Sequence, residues 1–388
     1  MRNLVLVWVC LTVFLNPWEE IAVIPGIATL SRIAGGLAMF LAVLTLLQEP
    51  TIRRWNPAIW LLIAFVVWNA VSLLWTVSVE STVQRLSTYT ALLAFVWLIY
   101  QFAPVPSQQA WLLCSYVTGA CVSAAMLFLA WHQGVGLADG SDRYTGGGID
   151  CNELALMLST AISSAFYLAS AVRGTTKCMA WLAWGLIPVF AFAILLTGSR
   201  GGTAAMVAML LVLLFFSQAT GWKVKALFIL LLALTAILVF AYVPAASLIR
   251  LAETSEANTF QTRQAYWSVG LAQWMGSPLC GIGAGAFADA VMRSLYGLRP
   301  VAHNTYISIL TETGLIGLGI FIVLLLVLLR CAWRLPLAQR CLSLSMLTVW
   351  MVGGLSLTLD CKKSLWLIFA LIAAQSSARS NTNHVHCA

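Results

Sequence analysis

Charge is scarce in this chain. Only 9% of its 388 residues are Asp, Glu, Lys or Arg, while 61% are hydrophobic. A soluble domain carries about 25% charged and about 45–50% apolar residues. A soluble enzyme cannot hide so much apolar side chain, and a disordered chain does not contain it. The ten cysteines include no Cys-x-x-Cys pair and no Cys/His group at ligand spacing. Neither a zinc site nor a disulfide framework is therefore expected. No Asp-x-Asp pair offers to hold a metal. The Gly281-Ile282-Gly283-Ala284-Gly285 run has no strand before it and no βαβ unit around it, so it is not a dinucleotide fingerprint. The short alternating segments of an outer-membrane barrel are missing too. The apolar runs are instead long and unbroken, as from Ala226 to Tyr242.

What is present is a series of such runs. About 20 apolar residues span a bilayer as a helix. The hydropathy pattern predicts twelve spans, at 3–22, 27–47, 57–75, 84–103, 110–131, 151–171, 179–197, 202–217, 224–243, 303–329, 341–359 and 363–378. The expected fold is an all-α polytopic membrane protein, one transmembrane domain over 1–388 with one long loop at 244–302. Met1-Arg2 and the apolar run to Leu15 resemble a signal peptide. Asn16-Pro17-Trp18-Glu19-Glu20 follows instead of a small-residue cleavage site, so the run is read as a retained first span.

Charge sorts the connections onto two sides. One side holds Arg2, Arg53, Arg54, Arg173, Lys177, Lys223, Lys225, Arg330, Arg334, Arg340 and Arg379, with Glu49 its one acid. This is the positive-inside pattern and places both termini in the cytoplasm. The other side holds the remaining ten of the 21 basic and twelve of the 13 acidic residues. The net charge of +8 is thus mostly a topology signal and argues for no nucleic acid. Basic residues on the external side need another reason. They either pair with the external acids or meet an anionic ligand. Arg32 and Arg85, near the outer ends of two spans, fit pairing or snorkelling.

Three external segments carry candidate chemistry. In Thr197-Gly198-Ser199-Arg200-Gly201-Gly202 a very short connection holds Arg200 near membrane depth. Its glycines allow close backbone approach, and the next helix starts there. A helix N-terminus plus an arginine is a recurring phosphate site; the bland alternative is a tight turn whose arginine snorkels. In the long loop, Thr262-Arg263 opens a helical stretch. Its Trp267, Gly270, Leu271 and Trp274 share one face, expected to lie at headgroup level with Arg263 at its edge. A turn-rich hinge follows over 276–285. Third, Ala302-His303-Asn304-Thr305-Tyr306 enters the tenth span. His303 is either a proton acceptor or a helix cap. Glu312, two and a half turns on, faces away from it. Lesser candidates are Arg143, in the turn Arg143-Tyr144-Thr145-Gly146-Gly147-Gly148-Ile149-Asp150, and Lys362 and Lys363 at the last external turn.

Taken in order, Thr-Gly-Ser-Arg-Gly-Gly, Arg-x-x-Tyr-Trp, Ser-Pro-Leu-x-Gly-x-Gly and His-Asn-x-Tyr-x-x-x-x-x-Glu-x-Gly-x-x-Gly cover residues 196–319. The combination resembles the bacterial O-antigen ligase and O-antigen polymerase superfamily. The resemblance implies a GT-C-like membrane glycosyltransferase of the bacterial inner membrane, with a periplasmic active site. It implies transfer of O-antigen from undecaprenyl diphosphate to a lipid A-core hydroxyl, in lipopolysaccharide biosynthesis. No cofactor is implied, metal or nucleotide. Arg200 and Arg263 match the family's diphosphate-binding arginines, with Gly201 and Gly202 beside the first. His303 matches its essential histidine, and Asn304 and Tyr306 accompany it in the motif. The length and the single long loop resemble a ligase more than a polymerase.

The chemistry is coherent without the family. A lipid diphosphate leaves well once its charge is neutralised, which two guanidiniums and a helix N-terminus can do. A sugar hydroxyl needs a base to take its proton. No paired carboxylates stand at a spacing suited to a retaining mechanism, so a single inverting displacement is expected. The rival readings are O-antigen polymerase, with a second lipid-linked glycan as acceptor, and a transporter of anionic lipid or solute. Transporters favour internal repeats around a midplane site, and this sequence shows no repeat.

Overall fold

The computed structural model describes residues 1–135, 143–170, 176–216, 257–294 and 301–385, with isolated positions between 221 and 237. Among these residues there are thirteen helices. The first eight are α1 (Arg2–Leu15), α2 (Leu30–Gln48), α3 (Pro57–Val71), α4 (Val79–Phe102), α5 (Pro106–His132), α6 (Cys151–Ser170), α7 (Lys177–Leu196) and α8 (Arg200–Phe216). After them come α9 (Ala257–Gly276), α10 (Phe287–Ser294), α11 (Thr305–Trp333), α12 (Leu337–Gly353) and α13 (Lys363–Val385). One two-residue hairpin, Val23–Ile24 against Ala28–Thr29, joins α1 to α2.

Local chemistry sets the helix starts. Thr29, Asn56 and Thr176 each accept a backbone N–H of the first turn of α2, α3 and α7. Pro57 and Pro106 stand in the first turns of α3 and α5, where a missing N–H costs nothing. Among the described residues, six helices are long and apolar enough to cross a membrane: α2, α3 with its 3-10 extension to Leu74, α5, α6, α7 and α11. The apolar α1 and α8 are shorter. The chain is a polytopic membrane protein. Helices stand at eleven of the expected spans. The ninth, 224–243, lies mostly outside the described residues, as do 244–256 and 295–300 of the long loop.

The middle of the bundle is α6. It is buried on every side and packs against α5, α7, α8 and α12. A helix so enclosed needs small residues and internally satisfied hydroxyls. Ser159, Thr160 and Ser164 donate back to the carbonyls of Ala155, Leu156 and Thr160. The Trp350 indole of α12 donates to the Thr160 hydroxyl at 2.9 Å.

Helix α11 is broken at Gly314, whose φ is +67°. The hinge predicted over 276–285 threads into that break. Ile282 and Gly283 donate to the carbonyls of Thr311 and Glu312 at 3.0 and 2.8 Å, and Leu315 donates to Pro278 at 2.9 Å. Irregular backbone survives in a membrane protein when other protein groups pair what the break frees. A Cβ at position 314 would run into the Leu279 carbonyl, so only glycine fits.

Candidate functional site

The site assembles from the α7–α8 turn upward. Gly198, at φ +61°, reverses the chain. Ser199 caps α8, its hydroxyl accepting the Gly202 N–H at 3.0 Å and donating to the Asn152 side chain at 2.8 Å. Arg200 is then the first residue of α8, with an exposed side chain at the positive end of the helix. The glycines after it are there for packing. A Cβ on Gly201 would collide with the Ser356 hydroxyl, and one on Gly202 with Ala155. Arg143 braces this turn from the other side. It donates to the Thr197 carbonyl and the Asn152 side chain, each at 3.1 Å, and reaches the Cys151 sulfur.

The second piece is the entry to α11. The Trp267 indole of α9 donates to the Ala302 carbonyl at 2.7 Å. Asn304, not His303, is the helix cap: its side-chain oxygen accepts the N–H groups of Tyr306 and Ile307, both at 3.0 Å. Thr305 donates its N–H to the Gly354 carbonyl at 2.8 Å and its hydroxyl to Leu357 at 2.7 Å. The Tyr306 hydroxyl donates to Met351 at 3.0 Å. Asn304 and Tyr306 therefore tether the segment to the end of α12 and the turn after it. His303 is held between these anchors at φ +47°, a conformation a non-glycine residue adopts only under constraint. Its Nδ1 is buried with no hydrogen-bond partner. Burial, and then the nearby Arg263 guanidinium, push its pKa below the ordinary 6.5, with Asp150 opposing. Asp150 caps α6 by accepting the Asn152 and Glu153 N–H groups at 2.9 and 3.0 Å. The glycine-rich turn of Arg143 thus borders the same place.

The α12–α13 turn joins the two pieces. Ser356 meets Gly201, while Gly354, Leu357 and Leu359 hold Thr305. The turn was marked in the sequence only by its lysines, and nothing local in the sequence places Ser356 beside Gly201. The lysines themselves face acids. Lys362 pairs with Glu153, and Lys363 with Glu19 at 2.5 Å. Burial works against the Lys362 charge, but Glu153 outweighs it and holds the pKa above the ordinary lysine value. Beside the pairs lies a cavity of about 550 Å³, with Arg32, Glu20 and Lys362 among its charged lining and Met39, Leu92 and Phe95 among its apolar lining. Arg85, Glu312 and Asp360 form a further buried group. Arg85 lies 2.6 Å from Asp360 and 3.6 Å from Glu312, which accepts the Gly285 N–H at 2.8 Å. Arg85, Lys362 and Lys363 are each paired with acids of the protein itself.

One expectation is corrected. Part of the apolar face of α9, expected to lie on the headgroups, packs on protein instead. Gly270 is buried against Phe287 and Thr311, and Tyr266 and Val269 pack on the Phe287 cluster. A glycine at that point lets α11 and α10 approach too closely for lipid to intervene.

Fold and site together define a membrane protein in which a helix-start arginine, a second arginine and an unpartnered imidazole share one end of the bundle. Residues 185–322 match the model of the O-antigen ligase family. That stretch contains all three motifs and carries the chain's similarity to the O-antigen ligase and polymerase superfamily. No curated protein matches the chain.

Proposed function

We propose that this protein is an O-antigen ligase. It moves the glycan of an undecaprenyl-diphosphate donor onto a sugar hydroxyl of lipid A-core, at the periplasmic face of the bacterial inner membrane. The twelve-span, GT-C-like arrangement and cytoplasmic termini belong to the same reading, as does a single inverting step without metal. Arg200, at the positive end of α8, and Arg263 neutralise the diphosphate as the anomeric C–O bond breaks. His303 takes the proton of the attacking hydroxyl. The observation that carries the reading is His303 itself: neutral, constrained, its Nδ1 buried without a partner, in the field of Arg263. A group with those properties is poised to accept a proton where no internal hydrogen bond competes.

The test is transfer by purified protein in lipid, in the presence of EDTA, from undecaprenyl-diphosphate glycan. One reaction offers lipid A-core as acceptor and the other a second glycan-lipid. Product on lipid A-core supports the ligase. Chain growth on the glycan-lipid alone makes the protein a polymerase, and transfer abolished by EDTA but restored by Mg²⁺ removes the metal-free step.

A further inference from the structure

The opposite end of the bundle holds a second concavity, of about 1530 Å³. Six arginines line it: Arg2, Arg53, Arg54, Arg330, Arg334 and Arg340. They come from the starts of α1 and α12, the approach to α3 and the end of α11. No Asp or Glu is among the lining residues. A topology signal needs basic residues at this end, but it does not need them to face one cavity. Six like charges in a concavity repel unless an anion joins them.

The contacts that Arg2, Arg53 and Arg340 make with protein do not supply that charge. Arg2 donates to the Thr51 hydroxyl at 2.8 Å and Arg53 to the Tyr100 carbonyl at 2.6 Å, both neutral acceptors. Arg340 lies over the Trp333 ring at 5.6 Å, and its Nε is buried without a hydrogen bond. Arg54 and Arg330 are exposed and make no side-chain hydrogen bond or ion pair among the described residues. The walls add the other half of a ligand. Trp55 and Trp333 are exposed beside the arginines, as indoles at headgroup level are, and Ile52 and Val327 give apolar surface.

We infer that this cavity binds an anionic phospholipid of the adjoining leaflet, with a two-phosphate headgroup of the cardiolipin type preferred over a single phosphate. The phosphates meet the arginines and the acyl chains run along the apolar wall. The site is remote from His303, because the 29-residue α11 separates the two ends.

Native mass spectrometry of the full-length protein tests this, with cardiolipin or phosphatidylcholine of matched chains added. The paired substitution Arg54→Gln with Arg330→Gln breaks no internal contact, so the fold is retained. Cardiolipin should bind the unaltered protein at least tenfold better than phosphatidylcholine. The pair should weaken cardiolipin by roughly ten- to thirtyfold, each basic residue near an anionic headgroup contributing about a factor of five. Lys177→Gln with Lys225→Gln, outside the cavity, should change it less than twofold. Equal binding of the two lipids, or equal loss in both pairs, overturns the site. Displacement of cardiolipin by equimolar inorganic pyrophosphate overturns the lipid assignment in favour of a soluble anion.

Discussion

The Trp267 indole donates to the Ala302 carbonyl at 2.7 Å, and this bond ties the helix of Arg263 to the backbone beside His303. Arg263 stands one turn before Trp267 on α9, so the bond fixes both partners of the site at once. Trp267→Phe keeps the ring and removes the donor. Turnover should fall about five- to tenfold at normal membrane abundance, the cost of about 1 kcal/mol for a lost neutral hydrogen bond. A positioning role also requires the acid limb of the pH profile to move, since Arg263 would no longer be fixed near the imidazole. An unchanged profile with reduced abundance would make Trp267 purely structural.

His303 should be replaced by glycine as well as alanine. At φ +47° glycine fits without strain, whereas alanine costs roughly 1–2 kcal/mol. Both variants should lose two to four orders of magnitude in transfer rate, about what general-base catalysis contributes. The glycine variant should still insert and bind donor. Near-normal turnover in it would remove His303 from the mechanism.

The pH dependence has a definite sign. Burial and Arg263 hold the His303 pKa below its ordinary 6.5, so the imidazole is neutral and competent at pH 7. Activity should be full above the usual histidine range and fall as pH drops through the lowered value. Arg263→Gln removes one cause of the depression, so the acid limb of its residual activity should shift to higher pH. The linked stability has the same direction. It is present above the unfolded pKa and is lost as pH falls through the folded one. A limb that stays in place in Arg263→Gln would contradict the coupling, and a pH-rate profile over pH 4–8 measures it.

Lysine should not replace either arginine. A diphosphate gripped by two forked guanidiniums loses its bidentate contact when a point charge is substituted. Arg200→Lys and Arg263→Lys should each drop transfer by about 10²–10³-fold at unchanged abundance, on the scale of one lost transition-state donor. Full transfer by both variants would rule out the bidentate grip.

Gly201 offers a test of the join between motifs. Alanine there meets the Ser356 hydroxyl, so Gly201→Ala should push α8 away from the α12–α13 turn and lower both turnover and thermal stability. An overpacking cost of about 1–3 kcal/mol is expected. Ser356→Gly in the same chain should restore much of the stability in a thermal-unfolding measurement. Failure of the second change to help would place the clash elsewhere.

How much of this was readable in the sequence follows from the range of each interaction. Burial of a helix in lipid depends on apolar residues summed over about 20 neighbours. So the runs alone marked α2 through α8 and α11 to within a few residues, and charge alone separated the two ends. The motifs marked Arg200, Arg263 and His303 as candidates because guanidinium and imidazole groups suit the proposed chemistry. Partner choice is not local. Asn304, Tyr306, Arg143, Lys362 and Lys363 look as available as His303 in a string of letters. Only packing gives Asn304 to the first turn of α11, Arg143 to Thr197 and Asn152, and the lysines to Glu153 and Glu19. The face of α9 read as lipid-facing because four apolar positions recur at helical spacing, and that period is the same whether lipid or protein covers it. At Gly270 the tertiary structure decided for protein, because the break at Gly314 draws the 276–285 hinge into α11 and brings Phe287 against that glycine.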